Sequence, residues 1–429
     1  MDLVIPLVLF VALLLAGVPV AWTMAAAGTV GILMITGSTR TLLGALETIP
    51  YGEGTSFSLI TIPLFVLLAY VVQHSRLSDD LFDAFAAWMG RLPGGLAVAS
   101  VFSGAMFGAM SGTSVASATV MSRMAVPPMD RHGYSRALST GAVAAGSTLS
   151  TLIPPSVVLI VYGISTETSV GRLLMAGLVP GVLMAVALAV VIVVAVLVRP
   201  SLAPRGATST WRERGASLVK VLPVVGLLAV LMTLLYSGLV SPTEVAGVGA
   251  LLAIALGVVL RRLTWKGFTE SLTQTVRITV MIFALFIGAG LFGQFLTLAR
   301  VPQQVVGWVG DLGLEPMGVL LLVALIYVVG CMFVDEMPFL LLTLPVTFPL
   351  MIGAGFDPVW YGVFAVMLLN IGLIAPPIGI VTFIVAGVTK TRLATAYQGA
   401  GIMLVAVVAC IAACVAWPEL VLWLPDLMR

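Results

Sequence analysis

Charge is scarce in this sequence. Only 9% of its 429 residues are charged, 60% are hydrophobic, and the net charge is +2. A soluble domain carries about 25% charged residues, so this chain has too few to cover a surface that faces water. No run of Lys and Arg is large enough to bind the phosphates of a nucleic acid. A soluble protein and a nucleic-acid partner are therefore excluded.

Cysteine, histidine and nucleotide-binding motifs are also few or missing. Three cysteines are too few for a disulfide framework, and Cys410 and Cys414 have no partner ligands, which favours packing over metal binding. The absence of a G-x-x-x-x-G-K-S/T loop argues against an ATP-driven pump. An intramembrane protease needs two Asp or a Ser–His pair in the bilayer, but His74 and His132 fall in predicted loops. We expect no enzyme activity, and no cofactor other than a coupling ion.

Long uncharged runs dominate the chain instead. Many are about 17–25 residues long, enough to cross about 30 Å of hydrocarbon as a helix. Backbone groups in hydrocarbon need internal partners, and the alternation of a β-barrel is absent, so the runs are predicted to be helices. The predicted spans are roughly 3–16, 18–37, 55–73, 137–164, 175–198, 219–238, 244–260, 278–298, 358–388 and 396–416.

The first run has no basic segment before it and no small-x-small cleavage site after it. It is therefore expected to be a retained helix and not a signal peptide. Gly17-Val18-Pro19 is predicted to divide 3–37 into two helices, because proline interrupts a helix. With this break both termini face the periplasm. If 3–37 were one tilted span, the N-terminus would face the cytoplasm.

Basic residues orient the predicted spans. The loops 199–220 and 261–277 hold nine of them and are assigned to the cytoplasm by the positive-inside rule: Arg199, Arg205, Arg212, Arg214, Lys220, Arg261, Arg262, Lys266 and Arg277. Continuing outward leaves Arg76 on the cytoplasmic side as well. Of the twenty Lys and Arg residues, only Arg40, Arg172, Arg300 and Arg429 fall on the periplasmic side.

The two halves of the chain are related by an offset of 222 residues. Seven identical pairs share it: Gly108 and Gly330, Met110 and Met332, Pro127 and Pro349, Met129 and Met351, Gly133 and Gly355, Pro154 and Pro376, and Pro155 and Pro377. The loop 122–136 holds three Arg, whereas its counterpart 344–358 holds none and carries Asp357. This charge difference predicts two inverted repeats, an architecture typical of secondary transporters.

The segment 92–122 has no charge, yet its centre is Ser111-Gly112-Thr113-Ser114. Small hydroxyl residues with a glycine interrupt a helix and supply oxygens and free N–H groups. The pattern predicts a re-entrant helical hairpin with its tip inside the membrane, shielded by protein. The alternative is a loosely packed span whose Ser and Thr side chains bond to their own helix.

The corresponding segment 317–350 contains Asp335 and Glu336, the only charges between Met317 and Phe356. An acid within such a run is costly and marks a functional site by default. Asp335 is therefore a candidate ligand. Glu336 is either a second ligand or a residue facing a water-filled mouth, and the alternative for the pair is an ordinary aqueous loop.

Two broken helices complete the predicted site. Paired prolines in 137–164 and 358–388 interrupt the helical hydrogen bonds, which frees carbonyls for a cation and half-helix N-termini for an anion. Na⁺ is predicted at the hairpin tips on Ser111, Ser114 and Asp335. The full candidate sodium and substrate site is Ser111, Gly112, Thr113, Ser114, Ser147, Ser150, Thr151, Pro154, Gly330, Asp335, Glu336, Asn370, Gly372, Ala375 and Pro376.

Nearly the whole chain resembles the large membrane subunit of tripartite ATP-independent periplasmic (TRAP) transporters. The resemblance is most specific in SGTSVASATVM (111–121), GYSRALSTGAVAAGSTLSTLIPPSVVLIVYG (133–163), SPTEVAGVGALLA (241–253), MFVDEMPFLLLTLPVTFPL (332–350) and NIGLIAPPIG (370–379). It implies Na⁺-coupled uptake of an organic acid, such as a C4-dicarboxylate, sialic acid or sugar acid, across the bacterial inner membrane. It further implies an elevator mechanism, a small membrane subunit and a periplasmic substrate-binding protein. A stand-alone organic-anion carrier or antiporter of the same superfamily is the alternative.

The resemblance also sets the expected layout, which is all-α with elevator-type inverted repeats. Scaffold helices occupy 1–54, repeat 1 occupies 55–198, a basic loop with central scaffold helices occupies 199–276, repeat 2 occupies 277–416, and a periplasmic interfacial tail occupies 417–429. Three positions depart from the family pattern. Ala375 replaces a frequent Thr, Ile380-Val381 replaces a frequent Asn-Leu, and Glu336 stands where a small polar residue is common.

Overall fold

The computed structural model describes residues 3–75, 79–204 and 210–427, so Arg76, Arg205 and Arg429 of the predicted topology lie outside it. Regular structure in this part of the chain is helical, without strands. Seven of its helices are long and apolar enough to cross a membrane. The predicted all-helical, multi-pass membrane fold is confirmed.

The N-terminal run is divided where the sequence predicts. Helix α1 spans Val4–Leu15 and α2 spans Val20–Thr36. Gly17 between them has φ +79°, a left-handed conformation that glycine adopts without steric cost, and Pro19 precedes the first turn of α2. The amphipathic helix α3 (Thr39–Thr55) follows, and a short 3₁₀ turn leads into α4 (Thr61–His74).

The remaining helices follow in order. They are α5 (Asp79–Met89), α6 (Gly95–Ser111), α7 (Ser114–Arg131), α8 (Arg136–Thr148), α9 (Val157–Ser165), α10 (Val170–Val198), α11 (Trp211–Ser237), α12 (Pro242–Val259), α13 (Trp265–Leu298), α14 (Val301–Asp311), α15 (Pro316–Cys331), α16 (Glu336–Gly353), α17 (Pro358–Ile374), α18 (Ile380–Thr389), α19 (Leu393–Ala416) and α20 (Glu419–Asp426). We call α6 with α7 hairpin 1, and α15 with α16 hairpin 2.

Several limits differ from the predicted spans. Helix α13 begins at Trp265 and not near 278, so Lys266 and Arg277 lie on a helix and not in a loop. Helix α7 continues to Arg131, past the expected end near 122. Helices α3, α5, α14 and α20 were not predicted, because a search for long uncharged runs overlooks short or amphipathic helices.

Helix α12 begins with a capping box at Ser241 and Glu244. The Ser241 hydroxyl accepts a hydrogen bond from the Glu244 N–H at 3.3 Å, and the Ser241 N–H donates to the Glu244 carboxylate at 2.6 Å. The two side chains thus satisfy backbone N–H groups that have no partner within the helix. Pro242 occupies the first turn, where its missing N–H costs nothing.

Small residues allow two helix pairs to approach very closely. A Cβ on Gly28 of α2 would lie 2.6 Å from the backbone of Leu291 in α13. In the other pair a Cβ on Gly399 of α19 would overlap the carbonyl oxygen of Ala137 in α8. Such contacts replace the hydrophobic driving force that helices lack inside a lipid bilayer.

Helix limits recur with the offset of 222 residues. Helix α7 begins at Ser114 and ends at Arg131, while α16 begins at Glu336 and ends at Gly353, so both limits differ by 222. The loop after each helix contains a glycine with positive φ, Gly133 at +73° and Gly355 at +89°. These limits agree with the offset found in the sequence. The duplication and the opposite orientation of the two copies in the membrane stay predictions.

Candidate ion and substrate site

Hairpin 1 turns at Gly112 and Thr113. Gly112 has φ +63° and its N–H donates to the Gly108 carbonyl at 2.7 Å, which closes α6 with a left-handed residue. Thr113 is extended, and α7 starts at Ser114. Ser111 is buried, and its hydroxyl makes only long contacts of 3.4 Å to two backbone carbonyls. The tip thus presents hydroxyl oxygens and the N-terminus of α7.

The first broken helix packs against this tip. A Cβ on Gly108 would lie 2.6 Å from the Cβ of Ser150, and one on Gly112 would lie 2.7 Å from Val157. Only glycine allows so close an approach, which makes both positions structural requirements of the site.

The hydroxyl groups of the first broken helix are buried and bonded to their own chain. Ser147 and Ser150 each donate to a carbonyl earlier in the chain, at 2.7 and 2.8 Å, and the Thr151 hydroxyl lies 2.8 Å from the Thr148 carbonyl oxygen. A donating hydroxyl keeps its lone pairs, so these oxygens remain able to accept from a ligand. Pro154 is buried in the interruption, and α9 restarts after Ser156, whose hydroxyl accepts from the Leu159 N–H at 3.2 Å.

Hairpin 2 turns at Asp335, which is extended and precedes the first residue of α16. The Oδ1 atom of Asp335 is buried and has no hydrogen-bond partner among the described residues. Glu336 is only 2% exposed, which rules out the aqueous-loop and water-filled-mouth alternatives for this side chain. Gly330, one turn earlier, packs against the Phe339 ring within the hairpin and offers space, not a ligand.

The two hairpin tips meet directly. The Ser114 hydroxyl lies 2.9 Å from Oε1 and 3.0 Å from Oε2 of Glu336 and donates to this carboxylate. Ser114 is the first residue of α7, so the Glu336 carboxyl group lies at the N-terminus of that helix. Glu336 is therefore largely satisfied by protein groups, whereas Asp335 is not.

The second broken helix supplies the fourth side of the site. Thr151 donates to Oδ1 of Asn370 at 2.8 Å, and the Nδ2 of Asn370 is buried without a partner in the described part of the chain. A Cβ on Gly372 would lie 2.5 Å from the Cβ of Cys331, so α17 packs tightly against hairpin 2. Four interrupted elements thus converge in one region.

The end of the second broken helix is arranged differently. Pro376 is exposed while Pro154 is buried, although both begin a cis Pro-Pro pair. Ala375 is buried but has no polar atom to offer. The next carbonyl, that of Pro377, accepts from the Tyr397 hydroxyl at 2.8 Å.

Sequence reasoning missed the helices that face the site from outside the hairpins. Tyr70 and Gln73 of α4 and Ile278 of α13 line a cavity of about 30 Å³ together with Ser111 and Thr113. The available signal was a Tyr and a Gln near the end of an otherwise apolar span. Neither residue is anomalous in composition at that position, so the sequence did not single them out.

A larger cavity of about 630 Å³ lies between α3 and α13 on one side and α9 and α16 on the other. Its described lining includes Glu53 and Glu167 and contains no Lys, Arg or His. Burial raises the pKa of Glu53 above its ordinary value. The volume is within the range of small-molecule sites, about 300–1,000 Å³.

Residues 7–420 match the family described as "Tripartite ATP-independent periplasmic transporter, DctM component". The chain belongs to this family. It is a TRAP large permease and a multi-pass protein of the inner membrane, in agreement with its long apolar helices. The family expected from the residues is confirmed.

Relatives within the TRAP family are named for different substrates. The chain is 33% identical over 346 residues, 80% of each chain, to the C4-dicarboxylate TRAP transporter large permease protein DctM of Pseudomonas aeruginosa. It is 30% identical to the ectoine/5-hydroxyectoine permease UehC of Ruegeria pomeroyi, with 97% of each chain covered. It is 29% identical to the sialic acid permease SiaM of Vibrio cholerae, with 97% of this chain and 96% of the relative covered.

A solved structure shares the fold of this TRAP permease. The crystal structure of the YdaH transporter of Alcanivorax borkumensis aligns with a TM-score of 0.61, covering 89% of this chain and 90% of that one at 16% identity. At this identity the likeness concerns the fold alone.

Proposed function

We propose that this TRAP permease couples Na⁺ entry to the uptake of an organic acid across the inner membrane. Na⁺ binds at the hairpin tips on Ser111, Ser114 and Asp335, and the substrate binds between these tips and the two broken helices. A periplasmic binding protein delivers the substrate, and a small membrane subunit enlarges the scaffold. The hairpins and broken helices move together as an elevator.

The unpartnered Oδ1 of Asp335 is the observation that carries this proposal. A buried acceptor without a partner loses its hydration without compensation, and buried polar atoms in folded proteins are nearly always bonded. A cation that prefers oxygen ligands satisfies it. Ser114 and Ser111 keep hydroxyl lone pairs nearby on hairpin 1, which suits Na⁺.

The unpartnered Nδ2 of Asn370 supports an anionic substrate by the same reasoning. This buried group is a donor, so a carboxylate satisfies it and a cation does not. A group that requires a cation, Asp335, and a group that requires an anion, Asn370, thus lie in the same region, where the two repeats meet.

The coupling is energetically sufficient for accumulation. One positive charge that moves inward across 100 mV gains about 2.3 kcal/mol, which corresponds to a concentration ratio of nearly fifty. Two Na⁺ ions with one monoanion carry one net charge, to which the Na⁺ gradient itself adds. Ala375 and Glu336 depart from the family pattern at the proposed site. The number of Na⁺ ions transported per cycle therefore has to be measured.

The test is reconstitution of the permease with its small subunit in proteoliposomes. Radiolabelled succinate, N-acetylneuraminate, ectoine and a sugar acid are offered with and without the binding protein, under inward Na⁺, K⁺ or H⁺ gradients. Uptake that requires both Na⁺ and the binding protein is expected for at least one compound. Uptake by the permease alone would instead support the stand-alone carrier, and equal rates in K⁺ would contradict Na⁺ coupling.

A further inference from the structure

A surface pocket of about 430 Å³ lies where α18 turns into α19, outside the proposed transport site. Lys390 and Arg392 line it, and its described lining contains no Asp or Glu. Both side chains are exposed, and neither forms an ion pair within the described part of the chain. The pocket therefore presents two positive charges without a counter-charge, which favours an anionic ligand.

The turn that carries the two cations is held in a defined conformation. Arg136 of α8 donates to the Thr389 carbonyl at 3.0 Å and pairs with Asp130 at 2.8 Å, so the charge of Arg136 is already compensated. Lys390 has φ +53°, a left-handed conformation in which the end of a helix usually carries glycine. A lysine at this position costs conformational energy that glycine would avoid, which is a reason to look for a function of its side chain.

The inner wall of the pocket is apolar and open. Phe383, about 10 Å from Lys390 along α18, lines this wall. Its side chain is 58% exposed. A Cβ on Gly387, which lies between them on the helix, would meet no atom within 4 Å. A small soluble anion gains nothing from such a wall, whereas the acyl chain of a lipid removes it from water.

The depth of the pocket suits the headgroup of a phospholipid. Helix α19 has 24 residues. It is therefore about 36 Å long, slightly more than the hydrocarbon thickness of about 30 Å. Its first residue, Leu393, lines the pocket and thus lies near a membrane surface. In the topology predicted from the basic residues this surface is the cytoplasmic one, where Lys and Arg attract negatively charged lipids.

We propose that this pocket binds an anionic phospholipid, with the phosphate between Lys390 and Arg392 and an acyl chain along Gly387 and Phe383. Ammonium and guanidinium groups both form charge-assisted hydrogen bonds with a phosphate diester. Helix α18 is the second half of the second broken helix, so the lipid contacts the part of the protein that is proposed to move. The binding itself requires neither Na⁺ coupling nor a particular substrate.

Native mass spectrometry of the purified permease in detergent measures the affinity for single lipids. Phosphatidylglycerol and phosphatidylcholine of equal chain length are titrated, and the dissociation constants of the first bound lipid are compared. Phosphatidylglycerol should bind more tightly. Lys390→Gln with Arg392→Gln should weaken its binding about 25-fold, or about fivefold for each charge. Arg212→Gln with Lys220→Gln removes two exposed cations from α11 and should change it less than about twofold.

Gly387→Leu tests the apolar wall without a change of charge. The added side chain fills the open space, so phosphatidylglycerol binding should weaken at least about fivefold. Gly401→Leu on α19 is the control, because its Cβ also meets no atom within 4 Å and it does not line the pocket. Melting temperatures in lipid-free detergent show that each variant is folded.

Three results would overturn the proposal. One is an unchanged affinity for phosphatidylglycerol in the Lys390 and Arg392 double variant or in Gly387→Leu. Another is equal affinity of the wild-type protein for phosphatidylcholine. The third is displacement of the lipid by millimolar glycerol phosphate, which would assign the two cations to a soluble anion.

Discussion

Ser114 donates a hydrogen bond to Glu336, and the two residues are separated by 222 positions, the offset between the repeats. Each is the first residue of the second helix of its hairpin. The contact therefore joins corresponding positions of the two hairpins, with a hydroxyl on one side and a carboxyl group on the other.

Ser114→Ala should destabilise this contact. The buried Glu336 carboxylate would lose its hydroxyl donor, and an unsatisfied buried acceptor costs about 1–3 kcal/mol, more when it is charged. Thermal unfolding of the purified protein in detergent measures the loss. Thr119→Val on the same helix is the matched control, because the Thr119 hydroxyl donates only to its own helix at 2.9 Å. Equal unfolding temperatures for the two variants would show that the contact contributes nothing.

Asp335→Asn should abolish stabilisation by Na⁺. In the wild-type protein, bound Na⁺ adds RT ln(1 + [Na⁺]/Kd) to the unfolding free energy, about 1.4 kcal/mol at ten times Kd. The amide removes the charge while keeping the shape, so melting curves in NaCl and KCl should coincide. Asp311→Asn, which neutralises an exposed acid in α14, should retain the Na⁺ effect. A preserved Na⁺ shift in Asp335→Asn would remove this residue from the ion site.

The sequence predicted the parts of the site whose composition is anomalous for a membrane span. Asp335, the Ser111–Ser114 turn and the proline pairs all stand out, because charge, hydroxyl groups and proline are costly or disruptive in hydrocarbon. The sequence could not show which of these polar groups find a hydrogen-bond partner within the protein. Glu336 finds its partner 222 residues away, and a one-dimensional pattern cannot show that contact.

The scaffold side of the site escaped prediction for a related reason. Tyr70 and Gln73 are ordinary residues for the end of a span. Only the cavity that they share with residues of hairpin 1 shows that they border the site. Arg277 was assigned to a loop because the search for apolar runs began α13 at its uncharged part. The predicted helix limits, in contrast, were close to the observed ones where glycine or proline marked them, as at Gly17 and Gly112.

Asn370→Asp should impair substrate binding more than folding. The change replaces the free Nδ2 donor by an acceptor that repels a carboxylate, and a hydrogen bond to a charged group contributes about 1.5–3 kcal/mol. The half-saturating concentration for anion uptake should rise at least about tenfold. Thr140→Val is a control for a buried hydroxyl in the neighbouring α8 that bonds only within its own helix. Unchanged half-saturation in Asn370→Asp would place the substrate elsewhere.

Glu53→Gln should stabilise the protein in a pH-dependent way. Burial raises the pKa of Glu53, so the folded state holds its proton more tightly than the unfolded chain does. The stability from this protonated form is fully present below the ordinary pKa of 4.5 and is lost as pH rises through the raised value. The variant should therefore melt at a higher temperature than wild type at pH 8 and at a similar one near pH 4.5.

Glu47→Gln is the control for this titration, because Glu47 is an exposed acid on the same helix α3. It should change the melting temperature equally little at both pH values. If the advantage of Glu53→Gln were the same at pH 4.5 and pH 8, ionisation of Glu53 would not be its cause.

Gly399→Ala and Gly401→Ala should have opposite effects although they lie two residues apart on α19. Alanine is favoured over glycine within a helix by about 1 kcal/mol, so Gly401→Ala, whose Cβ meets no atom within 4 Å, should be neutral or stabilising. The same methyl group at Gly399 would overlap the Ala137 carbonyl of α8 and force the helices apart, at a cost of about 1–3 kcal/mol. Melting temperatures of the two variants measure the difference directly. A Gly399→Ala protein as stable as Gly401→Ala would mean that α8 and α19 are not held at this distance.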